Sequence, residues 1–379
     1  MERGDARGPS TAGGSRRGLQ AELIHANDRQ WESTLEACDH DFYHLPEYVT
    51  LCAEQVGGTA AALLVRGGPG ALLLPVILRD IPFGGRDAIS PYGYPGPLVE
   101  GGGGAAFTAA ALRVGIDALR EAGLVSLFVR YHPLLNDEPP SDVGTVVRHG
   151  DAVCIDLSLP EDVHWRQTRE NHRRDIRRAI DRGQSARIDT EWANFAAFER
   201  LYADTMERRH ATAFYRFDER YFDGLRQALG ERIHLAVAER DGVVVSAALF
   251  VETAGIVQYH LSGSDGSDGS VLLTKVLIDY ARRWAKARGD RWLCLGGGVG
   301  GRDDSLLRFK RGFSPLARSF WTQRVVMDEQ AYGDLVARRD PSLDPDVRDG
   351  FFPLYRIETP APHTERERVE PAASRGLQP

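Results

Sequence analysis

Lysine is scarce in this chain of 379 residues. Of the 47 basic residues only three are lysines, namely Lys275, Lys286 and Lys310. The ammonium of lysine is compact and readily changes its pKa, unlike the guanidinium of arginine, so each remaining lysine is a candidate for a specific role. For Lys286 we expect only an ordinary position on a helix surface.

Cysteine and long apolar runs are scarce as well. The four cysteines include no CxxC pair, which excludes a disulfide framework and favours a reducing, cytoplasmic location. No apolar run approaches the roughly 20 residues that span a bilayer, and the first residues lack the apolar segment of a signal peptide. The net charge of −7 excludes a surface that is basic throughout, so any contact with RNA requires a local patch.

The composition predicts a globular protein between two polar tails. Residues 1–18 and 358–379 contain almost nothing apolar and are predicted to be disordered. The length allows two lobes with separate cores, which we place at residues 19–150 and 151–330. Residues 331–357 are predicted to form a C-terminal segment that packs back on the lobes.

The two lobes are predicted to repeat one order of elements. In the first we expect a helix at 31–38, a second helix, strands at 61–66 and 71–78, a helix ending at 122 and a strand at 124–131. In the second we expect helices at 195–209 and beyond, strands at 234–239, 243–252 and 256–261, a helix at 271–288 and a strand at 291–295. Asp241-Gly242 predicts a tight hairpin turn. The fold class is therefore α/β, in α+β layers, with two tandem lobes of common plan.

A glycine run follows the last of these strands. Gly296, Gly298 and Gly301 match G-x-G-x-x-G, but only a short helix at 303–311 follows, and no acidic residue stands where a dinucleotide-binding fold requires it. Arg302 also replaces the lysine of a Walker A loop. The run therefore does not predict a nucleotide site.

Two histidines, His40 and His44, have the i, i+4 spacing of a zinc site on a helix. No third ligand has a suitable spacing, so we interpret them as exposed loop histidines and predict no metal site. The chain also contains no G-x-S-x-G elbow and no cysteine–histidine nucleophile.

The predicted order of elements is the plan of the GNAT acyltransferases, and several short segments resemble the Fem family and its BioF2-like relatives. The resemblance covers about residues 20–357. Its most specific part is Leu295–Gly298 together with Phe309-Lys310-Arg311-Gly312-Phe313; the other segments lie at 90–97, 173–179, 259–264, 304–306 and 351–356.

This resemblance implies two tandem GNAT-like lobes with the acceptor in a cleft between or along them. Fem enzymes transfer an aminoacyl group from aminoacyl-tRNA to an amine, and their Phe-Lys pair maps to Phe309 and Lys310. The resemblance further suggests donor- or acceptor-binding roles for a set of residues in the second lobe. They are Phe309, Tyr259, Tyr215, Arg208 or its neighbour Arg209, Gly297, Gly298, Asp304 and Ser305.

Lys310 suits this chemistry. Attack of an amine on an ester carbonyl generates an oxyanion, which a fixed ammonium stabilises more in the transition state than in the ground state. The alternative is a solvated lysine at a helix end, with Gly312 as the cap.

The acyl donor is predicted from the loop at 261–270. In GNAT enzymes that use coenzyme A, the equivalent loop receives a pyrophosphate, whereas Asp265 and Asp268 would repel it. We therefore expect aminoacyl-tRNA as the co-substrate, with acyl-CoA as the alternative, and no tightly bound cofactor.

A basic helix between the lobes is the candidate RNA contact. Four arginines spaced three or four apart would meet tRNA phosphates, namely Arg166, Arg169, Arg173 and Arg177. The apolar face of this helix would be shared by Trp165, Ile176, Ala179 and Ile180. The alternative is a solvated face whose charges are paired with Glu170, Asp175 and Asp181.

The expected function is that of an acyltransferase acting on an amine of a small peptide or peptidoglycan precursor. The alternatives are an acyl-CoA-dependent N-acyltransferase and a non-catalytic RNA- or peptide-binding relative. Fem proteins have Asp-Pro where this chain has His132-Pro133, a departure that weighs against a peptidoglycan precursor.

Overall fold

A computed structural model describes residues 18–357, except 69, 102–103, 213–214 and 268. The predicted disordered tails lie outside the described residues, apart from residue 18. The elements of the first half are β1 Gln20–His25, α1 Arg29–Ala37, α2 Pro46–Gln55, β2 Thr59–Gly67, β3 Gly70–Asp80, β4 Arg86–Ile89, β5 Leu98–Val99, α3 Gly104–Glu121, β6 Leu124–Arg130 and β7 Thr145–Asp156.

The second half contains the remaining strands and helices. They are α4 Glu161–Gln167, α5 Glu170–Ile180, β8 Ser185–Ile188, α6 Phe195–Arg208, α7 Glu219–Leu229, β9 Ile233–Arg240, β10 Val243–Thr253, β11 Ile256–Ser264, α8 Ser270–Arg288, β12 Trp292–Gly296, α9 Ser305–Lys310, β13 Ala317–Val326 and α10 Glu329–Arg339. The predicted repeat is present: a strand and two helices precede a hairpin, a further strand, a long helix and a closing strand in each lobe.

One sheet runs through both lobes. Its strand order is β1-β2-β3-β4-β6-β13-β7-β12-β11-β10-β9-β8, and β5 pairs with β3. The two central strands are exchanged, because β7 follows the first lobe but pairs with β12, whereas β13 follows the second lobe and pairs with β6. β7 therefore spans the predicted boundary between residues 150 and 151, and backbone hydrogen bonds join the lobes.

The hairpin between β9 and β10 has the predicted turn. Asp241 and Gly242 both have positive φ, 52° and 76°. This conformation matches the twist of the flanking strands and explains the Asp-Gly pair.

Helices cover both faces of the sheet. On one face α1 and α2 of the first lobe share a core with α6 and α7 of the second. Gly224 of α7 packs so closely on α2 that a Cβ there would lie 2.6 Å from Leu51 Cδ1. On the other face α3 and α8 cover separate cores, one for each lobe.

The C-terminal part of the described chain is attached to the first lobe. α10 packs on residues of β6, and the segment at 351–357 ends at a buried carboxylate, that of Asp87. Asp87 accepts hydrogen bonds from Arg79 Nε at 2.9 Å, from Arg356 Nε at 2.6 Å and from the Tyr355 hydroxyl at 3.1 Å. The Phe351–Arg356 motif therefore fixes the last described segment to β4.

The single basic helix predicted between the lobes is wrong. Residues 164–180 form α4 and α5, separated where Thr168 and Arg169 adopt extended ψ angles of 127° and 143°. The Thr168 hydroxyl bonds back to the His164 carbonyl, which stabilises the end of α4. Ile180 is 51% exposed and does not belong to the predicted apolar face.

Candidate active site

Lys310 lies at the end of the short helix α9 and is only 8% exposed. Its Nζ atom donates a hydrogen bond of 2.7 Å to the carbonyl oxygen of Gly297, in the turn that follows β12. The alternative prediction, a solvated surface lysine, is therefore wrong.

Asp304 fixes α9 against that turn. Its carboxylate caps the helix by accepting from the Leu307 N–H at 2.9 Å, and its second oxygen accepts from the Val299 N–H at 2.9 Å. Ser305, which follows it, is exposed. Asp304 thus holds the helix that carries Lys310.

Glycine is required at two positions of this turn. Gly296 has a φ of 73°, which few other residues adopt. A Cβ on Gly298 would lie 2.1 Å from the Arg302 carbonyl oxygen and 2.5 Å from Asp304 Oδ1. The glycine run therefore allows a tight turn from β12 into α9, the helix that contains Phe309 and Lys310.

Burial changes the acid–base behaviour of Lys310. It lowers the pKa of the ammonium from 10.5 to about 8, and the carboxylate of Asp304 partly opposes this effect. The group is charged at neutral pH, yet it can exchange a proton close to that range. Both properties suit a residue at a reacting acyl centre.

Tyr94 of the first lobe reaches the same place. A Cβ built on Gly296 would lie 3.5 Å from Lys310 Nζ and 3.6 Å from the Tyr94 hydroxyl. Burial raises the pKa of Tyr94 to about 12, so the hydroxyl stays protonated. An ammonium and a hydroxyl, one from each lobe, therefore converge over Gly296.

An aromatic wall extends this site along the central strands. The ring of Tyr94 lies 5.0 Å from that of Phe320, which lies 5.4 Å from the imidazole of His149. His149 Nε2 is 2.7 Å from the Thr322 hydroxyl. Burial lowers the pKa of His149, and the charges of Arg324 and Arg130 lower it further.

An opening between β11 and β12 adjoins the glycine turn. The two parallel strands are paired only from Ile256 to Gln258, opposite Trp292 to Cys294. β11 continues to Ser264 without this neighbour, so the strands diverge where β12 enters the turn.

The other predicted site residues lie in three different places. Tyr215 lies between the lobes, where its ring is 6.0 Å from that of Tyr92. Tyr259 and Phe309 pack on the core under α8, the latter 5.3 Å from the ring of His172. Arg208 is exposed at the end of α6 and bonds to Thr205 and to the Ser264 carbonyl. It holds the loop that follows β11.

That loop contains the predicted acidic residues. Asp265 accepts from the Ser267 N–H at 2.9 Å and lies 3.7 Å from a guanidinium nitrogen of Arg240, and Asp268 lies outside the described residues. The carboxylate of Asp265 is therefore held by contacts within and beside the loop that precedes α8.

The four arginines predicted to contact tRNA differ in environment. Arg166 pairs with Asp162 at 2.5 Å, and the guanidinium of Arg177 lies 5.1 Å from the ring of Trp165. Arg173 donates to the carbonyls of Trp165, Arg166 and Thr168, so it joins α4 to α5. Arg169 is exposed at the start of α5.

The exposed side of α5 forms a basic groove of about 530 Å³. Its lining residues are five arginines and two acids, namely Arg173, Arg174, Arg177, Arg178, Arg182, Glu170 and Asp181. We refer to this surface as the α5 groove. It includes Arg173 and Arg177 of the predicted stripe, whereas Arg166 and Arg169 are not part of its lining.

The prediction that His40 and His44 are both exposed is wrong. His44 is fully buried, accepts from the Asp41 N–H at 3.1 Å, and has its pKa lowered to about 3 by burial. Nowhere in the described part of the chain do three or more His, Cys, Asp or Glu residues gather as metal ligands.

The departure at His132-Pro133 has a structural explanation. His132 is fully buried and donates from Nε2 to Asp41 Oδ2 at 2.9 Å, and the same oxygen accepts from Gln258 Nε2 at 2.6 Å. A histidine at this position thus takes part in a buried contact between the lobes.

Comparison with known proteins finds a family match in the second lobe. Residues 166–311 match the family described as acetyltransferase (GNAT) domain. This part of the chain is similar to a GNAT acyltransferase domain. The matched range includes the glycine turn, α9 and Lys310.

Solved structures share most of the fold. FemX superposes with a TM-score of 0.61 at 12% identity, over 82% of this chain and 98% of FemX. The C-terminal domain of a putative lysylphosphatidylglycerol synthetase from Agrobacterium fabrum gives a TM-score of 0.50 at 14% identity, over 78% and 91% of the two chains. A protein of unknown function from Bacteroides thetaiotaomicron gives 0.50 at 12%, over 81% and 99%. No curated protein matches the sequence.

These findings confirm the predicted resemblance to the Fem-like GNAT acyltransferases and the predicted fold class. None of the helices in the described ranges is long and apolar enough to cross a membrane.

The sequence did not single out the first-lobe residues of this site. Tyr94 lies in the segment at 90–97 that resembles Fem proteins, but no pattern separates it from its neighbours. His149 carries no motif, since it meets the site only through the exchange of β7 and β13.

Proposed function

We propose that this GNAT acyltransferase transfers an aminoacyl group from aminoacyl-tRNA to an amine of a small peptide or cell-wall precursor in the cytoplasm. The observation that carries the proposal is the buried ammonium of Lys310 beside Gly297, facing Tyr94 of the other lobe.

In this mechanism, a neutral amine attacks the ester carbonyl that links the aminoacyl group to tRNA. The carbon–nitrogen bond forms, the carbonyl oxygen becomes an oxyanion, and the ammonium of Lys310 stabilises it. The carbon–oxygen bond to the ribose then breaks, and the leaving oxygen takes a proton. With a pKa lowered to about 8 by burial, Lys310 can supply that proton and recover it from the amine.

Tyr94 has a complementary role in the proposal. Its hydroxyl is protonated at neutral pH and lies over the same glycine as Lys310. It can therefore donate a second hydrogen bond to the acyl oxygen. A complete site requires both lobes, since each lobe provides one hydrogen-bond donor.

Two features support tRNA as the source of the acyl group. The loop before α8 carries the carboxylate of Asp265 where a pyrophosphate would have to bind, which disfavours coenzyme A. The α5 groove presents five arginines, which can neutralise RNA phosphates without reading sequence.

Acyl-CoA is the second candidate donor. It is favoured by the match to acetyltransferases over residues 166–311 and by the divergence of β11 from β12.

The test supplies the purified protein with each donor in turn. Total tRNA charged with labelled amino acids is compared with acetyl-CoA and longer acyl-CoAs, using a mixture of dipeptides as amine acceptors and mass spectrometry of the products. Transfer only from charged tRNA is the expected result. Transfer from acyl-CoA alone contradicts the tRNA proposal, and no transfer from any donor favours a binding protein without turnover.

A further inference from the structure

His172 joins α5 to the segment that carries Lys310. It is one of the buried residues of α5 and is only 3% exposed. The centre of its imidazole ring lies 5.3 Å from that of the Phe309 ring and 4.7 Å from that of the Phe313 ring. One side chain of α5 therefore contacts residues on both sides of Lys310 in the sequence.

Gly312 makes this close approach possible. A Cβ built there would lie 2.1 Å from Cε1 of His172, 2.5 Å from Nδ1 and 2.7 Å from Nε2, so its three nearest atoms all belong to the imidazole. The backbone reinforces the contact, because the Arg169 N–H donates to the Gly312 carbonyl oxygen at 2.8 Å. The start of α5 is therefore in direct contact with the chain two residues beyond Lys310.

Polar contacts fix α5 itself to its other neighbours. The buried ammonium of Lys275 in α8 donates to the carboxylate of Asp175 at 2.6 Å. The Arg173 guanidinium bonds to three backbone carbonyls of α4 and of the break that follows it. α9 has only six residues, so its position depends on the elements that pack against it. A side chain on a fixed helix can define that position.

His172 acts through its shape rather than through its charge. Its pKa is lowered to about 4 by burial and then by the charges of Lys275 and Arg169, whereas Asp175 opposes this effect. The imidazole is therefore neutral at pH 7. Its Nδ1 atom has no hydrogen-bond partner within the described ranges. A buried nitrogen of this kind does not stabilise the fold, so what the ring contributes is its contact with Gly312 and the two phenylalanines.

We propose that His172 is a positioning residue, which holds α9 where the ammonium of Lys310 is buried against the Gly297 carbonyl. It acts through the residues that flank Lys310 and does not itself touch the reacting groups. A displacement of about 1 Å in a reacting group can lower the rate by about 10². The inference rests on the proposed function for the reaction in which Lys310 takes part, but the burial of Lys310 can be measured without turnover.

The burial of Lys310 reports the position of α9. Burial lowers the pKa of its ammonium from 10.5 to about 8, against the charge of Asp304, and the protonated hydroxyl of Tyr94 lies over the same turn. If α9 moves outward, water reaches the ammonium and its pKa rises toward 10.5. His172→Ala removes the ring and leaves space for such a movement.

The experiment measures the pKa of Lys310 in the full-length protein by NMR. The chain has three lysines, so ¹³C-labelled lysine gives three sets of side-chain signals, which Lys286→Arg and Lys310→Arg assign. We expect His172→Ala to raise the pKa of Lys310 by about one pH unit or more. The pH above which kcat falls should rise by the same amount. The signal of Lys286, in the last turn of α8, is the internal control.

Gly312→Ala tests the contact from its other side. The new methyl group would overlap the His172 ring, so α9 has to move, and we expect a loss of about tenfold or more in kcat together with a higher pKa of Lys310. In the double variant with His172→Ala, the methyl group occupies part of the space left by the ring. Both quantities should then return part of the way to their wild-type values. Additive losses in the double variant would overturn the proposed contact.

Leu225→Ala separates positioning from stability. Leu225 is fully buried in the core on the opposite face of the sheet, so its truncation should lower stability but leave kcat and the pKa of Lys310 as in wild type. If His172→Ala fails to fold, Gly312→Ala provides the same measurement. An unchanged pKa of Lys310 in the folded variants overturns the inference. A raised pKa in a protein that transfers no acyl group refutes only the proposed function, and transfer with an unchanged pKa refutes only the positioning role.

Discussion

The Nζ atom of Lys310 lies 2.7 Å from the carbonyl oxygen of Gly297, with the hydroxyl of Tyr94 close to the same turn. A buried lysine that bonds to a single backbone carbonyl retains hydrogens for other acceptors. The contact thus orients the ammonium without neutralising it, as a group that stabilises a developing oxyanion requires.

The pH dependence of transfer follows from the pKa of Lys310. Burial lowers that pKa to about 8, so the charged form is present at neutral pH and is lost as the pH rises through about 8. We expect kcat to fall above this pH when hydroxylamine is the acceptor, because its amine is already neutral there. In Lys310→Arg, kcat should no longer fall in this alkaline range. A kcat that is constant or rises through about pH 9 in wild type would show that the ammonium is not required.

Gly298→Ala should disrupt the turn that carries Lys310. The new Cβ would lie 2.1 Å from the backbone oxygen of Arg302 and 2.5 Å from Asp304 Oδ1, so the cap of α9 has to move. We expect a loss of about 1–3 kcal/mol in the free energy of unfolding, measured in urea, and a larger proportional loss of kcat. Gly333→Ala is the control, because a Cβ in that part of α10 meets nothing within 4 Å. Equal effects of the two substitutions would contradict the assigned crowding.

The α5 groove should bind tRNA through its exposed arginines. Arg174→Gln combined with Arg178→Gln is expected to reduce the slope of log K against log salt by about two, while the fold is retained. The measurement is filter binding of total tRNA at several salt concentrations, with Arg113→Gln as the control. An unchanged slope would exclude the groove as the phosphate contact.

Arg173 is expected to behave differently from its neighbours in the groove. Its guanidinium donates to three backbone carbonyls between α4 and α5, so Arg173→Ala should lower the free energy of unfolding measured in urea. A variant as stable as wild type would show that these bonds contribute little.

The buried carboxylate of Asp87 should be essential for stability. It is fully buried between Arg79 and Arg356, and its removal leaves two guanidiniums without their partner. Asp87→Asn is expected to cost about 3–5 kcal/mol of unfolding free energy, whereas Asp142→Asn, at the exposed pair with Arg113, should cost less than about 1 kcal/mol. Urea titrations of both variants provide the measurement, and similar losses would refute the role of the cluster.

The order of elements was predictable because each strand and helix has its own local pattern. The Asp241-Gly242 turn, the hairpins and the short helix before Gly312 all follow from turn residues and apolar spacing. The break between α4 and α5 was not predictable, because neither Thr168 nor Arg169 is a helix-breaking residue. The extended backbone at these positions is stabilised by hydrogen bonds from the Arg173 side chain.

Only the part of the site that contains Lys310 was predictable from the sequence. Lys310 could be selected because lysine is rare and follows a glycine run, whereas Tyr94 and His149 lie far away in sequence. The approach of His149 depends on the exchange of β7 and β13, a long-range pairing for which neither strand carries a local signal. The burial of His44 was missed because Gly96, whose carbonyl oxygen lies 3.1 Å from His44 Nε2, meets it only in the folded first lobe.

The most direct test is the kcat of Lys310→Ala compared with that of Arg308→Ala, an exposed residue on the same helix. Transfer is to be followed with the donor that the wild-type protein uses, after thermal unfolding has shown that both variants are folded. We predict a loss of about 10²–10³ in kcat for Lys310→Ala and almost none for Arg308→Ala. A folded Lys310→Ala protein with the kcat of wild type would contradict the assignment of Lys310 to the reaction.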